Sequence, residues 1–417
     1  MTGNASPRID QAFFKRMMDE VSIFGATAAG GLCRLTASPE DGAARDWLAG
    51  VLKAAGFRVV VDRVGNMFGI LDIAGPGAPV VLAGSHLDSQ PFGGRFDGAY
   101  GVVAAIAAAT AVRDAVANGK CRPAHNVGVV NWTNEEGSRF APSTLGSNVF
   151  AGKLEAEVAL RAKDAKGVSL GEALAAIGYS GAEQPPRHVA AYIEAHIEQG
   201  PSLEREGKTI GVVEGNWGTV KYEVEFLGKA AHTGPTPMAQ RRDALLPAAE
   251  LVLFVRELSN RTGGALLSSV GRMDIAPNST NVVAERVRLF VEFRDRDTAR
   301  LDDACARFED KVRLLGRDGV SVNMVHTVNR RPGLFDAALA DLIEAIAAAR
   351  GYSRMRLHTV AGHDAVPLAS VLPSAMLFVP SVDGISHNEA EFTSMEDLVA
   401  GADVLAGVLC RLAFAGD

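Results

Sequence analysis

The chain has 417 residues, 47% of them hydrophobic, and a formal net charge of −7 from 42 Lys+Arg against 49 Asp+Glu. That length supports two to three domains with large cores, and the mildly acidic balance offers no basic field for nucleic acid. Cys33, Cys121, Cys305 and Cys410 are far apart and form no CxxC pair, which argues against a disulfide framework or a structural zinc knot and for reduced thiols in a cytoplasmic protein.

Taken in chain order, Gln11–Phe14 and Trp47–Ala54 carry helical spacing. Short β-branched apolar runs at Arg58–Val61, Met67–Asp72 and Val80–Ala83 read as strands. A helix is expected over Gly101–Val116, then buried strands at Val127–Asn131 and Ala190–Ala195. No signal peptide is expected in Met1–Asp10, and no membrane span anywhere: the nearest candidate, Val102–Val112, is short, Ala-rich and reads as a buried helix. Alternating helices and strands predict an α/β domain with a mixed central sheet flanked by helices.

From about Val213 the pattern changes. Val220–Phe226 alternates strictly, with Tyr222, Val224 and Phe226 on one face and Lys221, Glu223 and Glu225 on the other. Arg286–Phe293 alternates likewise, which predicts a sheet with one wet face. With helices at Arg241–Leu258 and Thr298–Leu315 and strands at Ala265–Met273 and Val320–His326, the order is β-α-β-β-α-β, an inserted ferredoxin-like α+β module. From Arg331 the α/β pattern resumes, with a helix at Asp336–Ala349, a strand at Ser374–Val379 and a last helix at Ser394–Phe414. The expected division is thus residues 1–212 with 330–417, and an insertion over 213–329.

The chemistry-bearing residues cluster where strands end. Gly84-Ser85-His86-Leu87-Asp88-Ser89 follows the strand Val80–Ala83, and Gly93-Gly94-Arg95-Phe96-Asp97-Gly98 precedes a helix. Asn134-Glu135-Glu136-Gly137 and His196-Ile197-Glu198-Gln199-Gly200 each follow a strand, and Ser386-His387-Asn388-Glu389 comes near the end. Ligands of open α/β sheets gather at the carboxyl ends of strands, so these segments are expected to converge. Imidazole and carboxylate donors without thiolates suit a pair of zinc, manganese, cobalt or nickel ions. Asp97, in a glycine-rich turn, suits a bridging ligand, and Asp88 is placed to orient His86 through its second ring nitrogen. Of the adjacent Glu135 and Glu136, one can ligate while the other handles protons. Gly167-Val168-Ser169-Leu170-Gly171 matches a nucleophile elbow in letters only, because no apolar strand precedes it.

The stretches GSHLDSQPFGGRFDGAYGV, NEEGSRF, HIEQGP, AAHTGPTPMAQRRDAL and SHNEAEFT, in that order, resemble the M20 metallopeptidase superfamily, specifically its hydantoinase/carbamoylase amidase branch. That branch includes N-carbamoyl-L-amino acid hydrolases, β-ureidopropionases and allantoate amidohydrolases. The resemblance implies that His86, Asp97 and His196 hold one metal and that Asp97, Glu136 and His387 hold the other, with Glu135 as general base and acid. It implies that the inserted module is a lid and dimerisation domain of a homodimer. On that module it makes His232 the group that polarises the scissile carbonyl, and Asn281 and Arg294 a grip on the substrate carboxylate. Gln199 becomes a substrate or metal-shell contact, and Gly362 and His363 contacts around the substrate. The implied activity is removal of the carbamoyl group from N-carbamoyl-L-amino acids or N-carbamoyl-β-alanine, a small-molecule reaction away from nucleic acid and membranes. Allantoate is the alternative substrate. An aminoacylase or dipeptidase is disfavoured because His196 stands where those relatives carry a carboxylate, and a non-catalytic binding protein because Glu135 and all five ligands are present. Thr359-Val360 departs from the Ser-Gly pair that many relatives carry before the Gly362-His363 segment.

Overall fold

The computed structural model describes residues 7–119 and 123–414; Cys121 and the first six residues, on which two of the expectations fall, lie outside them. The described cysteines are free thiols. The chain divides into two compact units, Met1–Glu214 with Leu334–Asp417, and Gly215–Gly333.

The strands are β1 (Arg58–Val61), β2 (Met67–Leu71), β3 (Val80–His86), β4 (Asn126–Trp132), β5 (Val189–Ile197), β6 (Ile210–Asn216), β7 (Gly218–Leu227), β8 (Ala231–His232), β9 (Leu267–Ala276), β10 (Val282–Val283), β11 (Arg286–Asp295), β12 (Ser321–Arg330), β13 (Gly333–Leu334), β14 (Arg354–Thr359) and β15 (Ser374–Val379). The large unit is built on a mixed sheet in the order β1-β2-β4-β3-β5-β15-β6-β13, with β14 pairing with β6. Four adjacent central strands, β4, β3, β5 and β15, are parallel. Their carboxyl ends therefore lie side by side along one edge.

Both faces of this sheet are dry, which explains the near-continuous apolar runs of its strands. Val81 and Ala83, Val127 and Val129, Ile193 and Ala195, and Leu377 and Val379 enter one core, with the helices Gln11–Val21, Pro39–Ala54, Ala99–Asn118, Ala337–Ala349 and Met395–Ala413. Their neighbours Leu82, Val130, Tyr192 and Phe378 enter a second core with Leu203, Phe335 and Leu368. Each fully buried aliphatic or aromatic side chain contributes about 1.5–3 kcal/mol, so a one-residue register slip in any central strand is strongly disfavoured.

The expected buried helix is present but longer than its expected bounds. The Ala-rich helix spans 20 residues, Ala99–Asn118, and by length and composition it could cross a membrane. It is buried, as expected, packed against β3, β4, β5 and the helix Met395–Ala413. An apolar run and its polar flanks do not distinguish these two fates; the surrounding core does.

The smaller unit is a four-stranded antiparallel sheet ordered β12-β7-β11-β9, crossed by the helices Leu245–Arg261 and Thr298–Leu315 in β-α-β-β-α-β connection. Val220, Tyr222, Val224 and Phe226 of β7 and Val287, Leu289, Val291 and Phe293 of β11 form its core with those helices. The other face is a lattice of charges, with Lys221 Nζ 2.8 Å from Glu292 and Arg288 Nε 3.1 Å from Glu223.

Candidate active site

Each motif sits at the end of a parallel strand or on the loop after one. His86 is the last residue of β3 and pairs in register with Trp132 of β4, just before Asn134-Glu135-Glu136. His196 lies near the end of β5, opposite Phe378 of β15, whose loop carries His387. Asp97 precedes the helix Ala99–Asn118. The turn before that helix needs glycine at 98: its φ is +66°, and a Cβ there would stand 2.3 Å from the His86 ring.

Among the described residues the expected ligands form two three-residue groups, each offering ligand atoms within 4.8 Å of one another: His86, Asp97 and His196, and Asp97, Glu136 and His387; Glu194, His196 and His363 form a third such group. Asp97 divides its oxygens between the first two. Oδ1 is 3.2 Å from His196 Nε2 and 3.7 Å from His86 Nε2, while Oδ2 is 3.3 Å from His387 Nε2. His387 Nε2 is also 3.5 Å from Glu136 Oε2. Glu135 stands beside the first group, with Oε2 3.6 Å from His86 Nε2.

The hydrogen-bond partners show what the site is prepared to hold. His86 Nδ1 donates to the Asp88 carbonyl at 2.8 Å and His196 Nδ1 to the Ile197 carbonyl at 2.9 Å. Those tautomers, assigned from the network, leave both Nε2 atoms on the Asp97 side, where that of His196 also accepts the Gly98 N–H at 3.2 Å. An imidazole nitrogen facing a carboxylate needs a positive charge between them, either a shared proton or a cation. Burial, then Asp364 and Glu136, pushes the Glu135 carboxyl well above the usual range. Burial and Asp97 do the same to Glu136. Burial opposes the charge of Asp97, but the imidazoles of His196 and His387 outweigh it and hold its carboxyl well below the usual range. A buried surplus of carboxylates with convergent imidazoles fits divalent cations in both groups.

Asp88 meets the second ring nitrogen of His86 through its main chain. Its carboxylate does not hold His86, since Oδ1 is 3.9 Å from Nδ1 and the backbone carbonyl takes that bond. The carboxylate instead accepts the backbone N–H groups of Glu135 at 3.2 Å and Glu136 at 3.3 Å, and the Thr36 hydroxyl at 2.9 Å. One residue thus fixes the imidazole with its main chain and aims the glutamate pair with its side chain. The His-x-Asp spacing could not reveal this, because carbonyl and carboxylate lie equally close in sequence.

Gln90 and Glu194 had no separate signal in the sequence, whereas Gln199, Gly362 and His363 were expected there. Gln90 holds both oxygens of Glu136, through its backbone N–H at 3.1 Å and its Nε2 at 2.8 Å. Buried Glu194 accepts from Ser85 Oγ at 2.7 Å and the Ala365 N–H at 2.8 Å. Gln199 donates from Nε2 to Asp97 Oδ2 at 3.0 Å and to Ser386 Oγ at 3.2 Å, while its buried Oε1 meets no hydrogen-bond partner among the described residues. His363 lies buried with Nε2 3.0 Å from Thr359 Oγ1 and its ring 4.6 Å from that of His196, so Thr359 anchors the segment in which Gly362 sits. Asn134, Gln199 and His387 are non-glycine residues at φ between 53° and 58°. Such positions cost about 1–3 kcal/mol each and concentrate at functional sites.

The remaining expected residues belong to the smaller unit. His232 pairs with Val282 across the short β8–β10 ladder, and the Thr233 N–H donates to the Asn281 carbonyl at 3.2 Å, which sets His232 and Asn281 side by side. His232 is exposed and its Nδ1 accepts the Gly234 N–H at 3.0 Å. Arg294 lies on the charged face of β11, paired with Glu292. Ser169, by contrast, caps the helix Leu170–Ala176 in a reciprocal box with Glu172, which accounts for the isolated elbow-like motif.

Three imidazoles converge with the carboxylates of Asp97, Glu136 and Glu135 at the carboxyl ends of four parallel strands, a donor set that suits a metal-dependent hydrolase. Residues 82–411 match the model described as peptidase family M20/M25/M40, and the chain belongs to that family. Over 93% of its length the chain is 41% identical to an N-carbamoyl-L-amino-acid amidohydrolase of Rhizobium meliloti, covering 92% of that protein. It is 33% identical over 96% of its length to the allantoate amidohydrolase of Escherichia coli strain K12, covering 98% of it. The crystal structure of a hydantoinase/carbamoylase family amidase from Burkholderia vietnamiensis is similar with a TM-score of 0.90 and 42% identity, covering 99% of this chain and 100% of that one. The protein is a hydrolase acting on linear amides.

Proposed function

We propose that this hydrolase removes the carbamoyl group from N-carbamoyl-L-amino acids or N-carbamoyl-β-alanine, releasing the amino acid, ammonia and carbon dioxide. The observation that carries the reading is the division of Asp97 between two imidazole–carboxylate groups with Glu135 beside one of them. Two divalent cations, one held by His86, Asp97 and His196 and one by Asp97, Glu136 and His387, would supply Lewis acidity and lower the pKa of water. Glu135 takes the proton of the attacking water and returns it to the leaving nitrogen. Gln90 keeps Glu136 from that task by holding both its oxygens. Gln199 offers its unpartnered Oε1 to a substrate N–H. On the smaller unit, His232 polarises the ureido carbonyl, and Asn281 and Arg294 bind the substrate carboxylate.

Ammonia release from N-carbamoyl-L-amino acids, N-carbamoyl-β-alanine and allantoate tests the substrate class. Turnover of an N-carbamoyl amino acid at a higher kcat/KM than allantoate is expected. The allantoate relative makes the reverse order the specific alternative, and that order would overturn the assignment.

For Arg294, exchange for Lys is expected to raise KM by about tenfold or more, because lysine keeps the charge but loses the planar fork that grips a carboxylate with two hydrogen bonds. The carboxamide analogue of the same substrate should be far less sensitive. Equal damage to both substrates would remove Arg294 from carboxylate recognition.

A further inference from the structure

Neither the metal groups nor the substrate contacts include Glu391, yet the geometry around the centre turns on it. Its side chain is buried. Oε1 accepts the backbone N–H groups of Phe96 at 3.0 Å and Asp97 at 3.1 Å, and Oε2 accepts the Ser386 hydroxyl at 2.8 Å. One carboxylate thus joins the turn that delivers Asp97 to the segment that delivers His387. Ser386 Oγ is also 3.4 Å from Asp97 Oδ2, so the clasp closes on the bridging carboxylate itself.

A second observation is independent of these bonds. A Cβ on Gly94 would stand 2.0 Å from the Glu391 carboxyl, so the turn is packed onto that group with no room for a side chain. His387 has little else to fix it: its side chain is 50% exposed and its φ is +53°. His86 and His196 lie on buried stretches of β3 and β5 and are placed by the sheet.

We propose that Glu391 is a positioning residue that assembles the Asp97–Glu136–His387 group by locking two loops together, while the His86–Asp97–His196 group depends on it much less. The inference rests on the two-cation reading above. Loss of Glu391 disturbs two of three ligands in one group and one of three in the other. Hydrogen-bond partners of metal ligands typically change affinity about 10–100-fold when removed, and that is the expected loss for one cation only.

Titration of chelator-stripped protein with Mn²⁺ in a calorimeter tests this. Wild type should take up two ions per chain. Glu391→Ala should keep one affinity near wild type and weaken the other about 10–100-fold. Glu391→Gln, whose amide oxygen can still accept from Phe96 and Asp97, should retain both. Gly94→Ala drives a methyl into the carboxyl and should reproduce the selective loss, which keeps the proposal testable if Glu391→Ala does not fold. Two ions in wild type with equal weakening, or none, in the variants would overturn the role of Glu391 alone. Fewer than two ions in wild type would overturn the two-cation reading and this inference together.

Discussion

Exchange of Glu135 for Gln is expected to lower kcat by about 10²–10⁴-fold, the usual contribution of a general acid–base group, while metal content stays at the wild-type level. The amide matches the carboxylate in shape, so the 3.6 Å approach to His86 and the Asp88 bond to the 135 backbone can persist. What disappears is the capacity to take a proton and return it. Glu136 is the built-in control. It is 3.5 Å from His387 and both its oxygens are held by Gln90, so Glu136→Gln should cost metal before it costs chemistry. Metal content by mass spectrometry beside kcat per loaded site separates the two. If Glu135→Gln lost metal while the remaining loaded sites kept full turnover, the two roles would be reversed.

Much of the fold was legible because its signals are local. The β7 and β11 alternation announces a sheet with one wet face, and the observed burial follows it residue by residue. The runs of β3, β4 and β5 announce buried strands. Boundaries were less legible. The helix expected from Arg241 begins at Leu245, because Arg242 is drawn into a bridge with Lys229 and residues 238–240 form a separate short turn. The strands β6 and β14 were missed: their short apolar stretches gain meaning only from pairing with each other and, for β6, with β15.

The candidate centre was legible as a set of residue types in fixed order, and the structure brings the five named ligand side chains into two groups. Its supports were not. Asp88 turns its main chain to His86 and its carboxylate to the glutamate pair, and Glu391 spans 294 residues to reach the backbone of Asp97. Such bonds depend on loop conformation at the strand ends, and no spacing rule encodes that. Gln199 was named from its motif, but its bonds to Asp97 and Ser386, which come from two other loops, were not.

Removal and return of metal bears most directly on the central claim. Imidazole and carboxylate donors must lose their protons to bind a cation, and bound cations would relieve the burial and mutual repulsion that push Glu135 and Glu136 upward. Prolonged dialysis against a chelator, followed by ammonia release from an N-carbamoyl-L-amino acid with and without added Mn²⁺, Co²⁺, Ni²⁺ or Zn²⁺, measures it. Activity should fall to background in the stripped protein and return with at least one of these ions at two per chain; full turnover by protein verified to be metal-free would contradict the account.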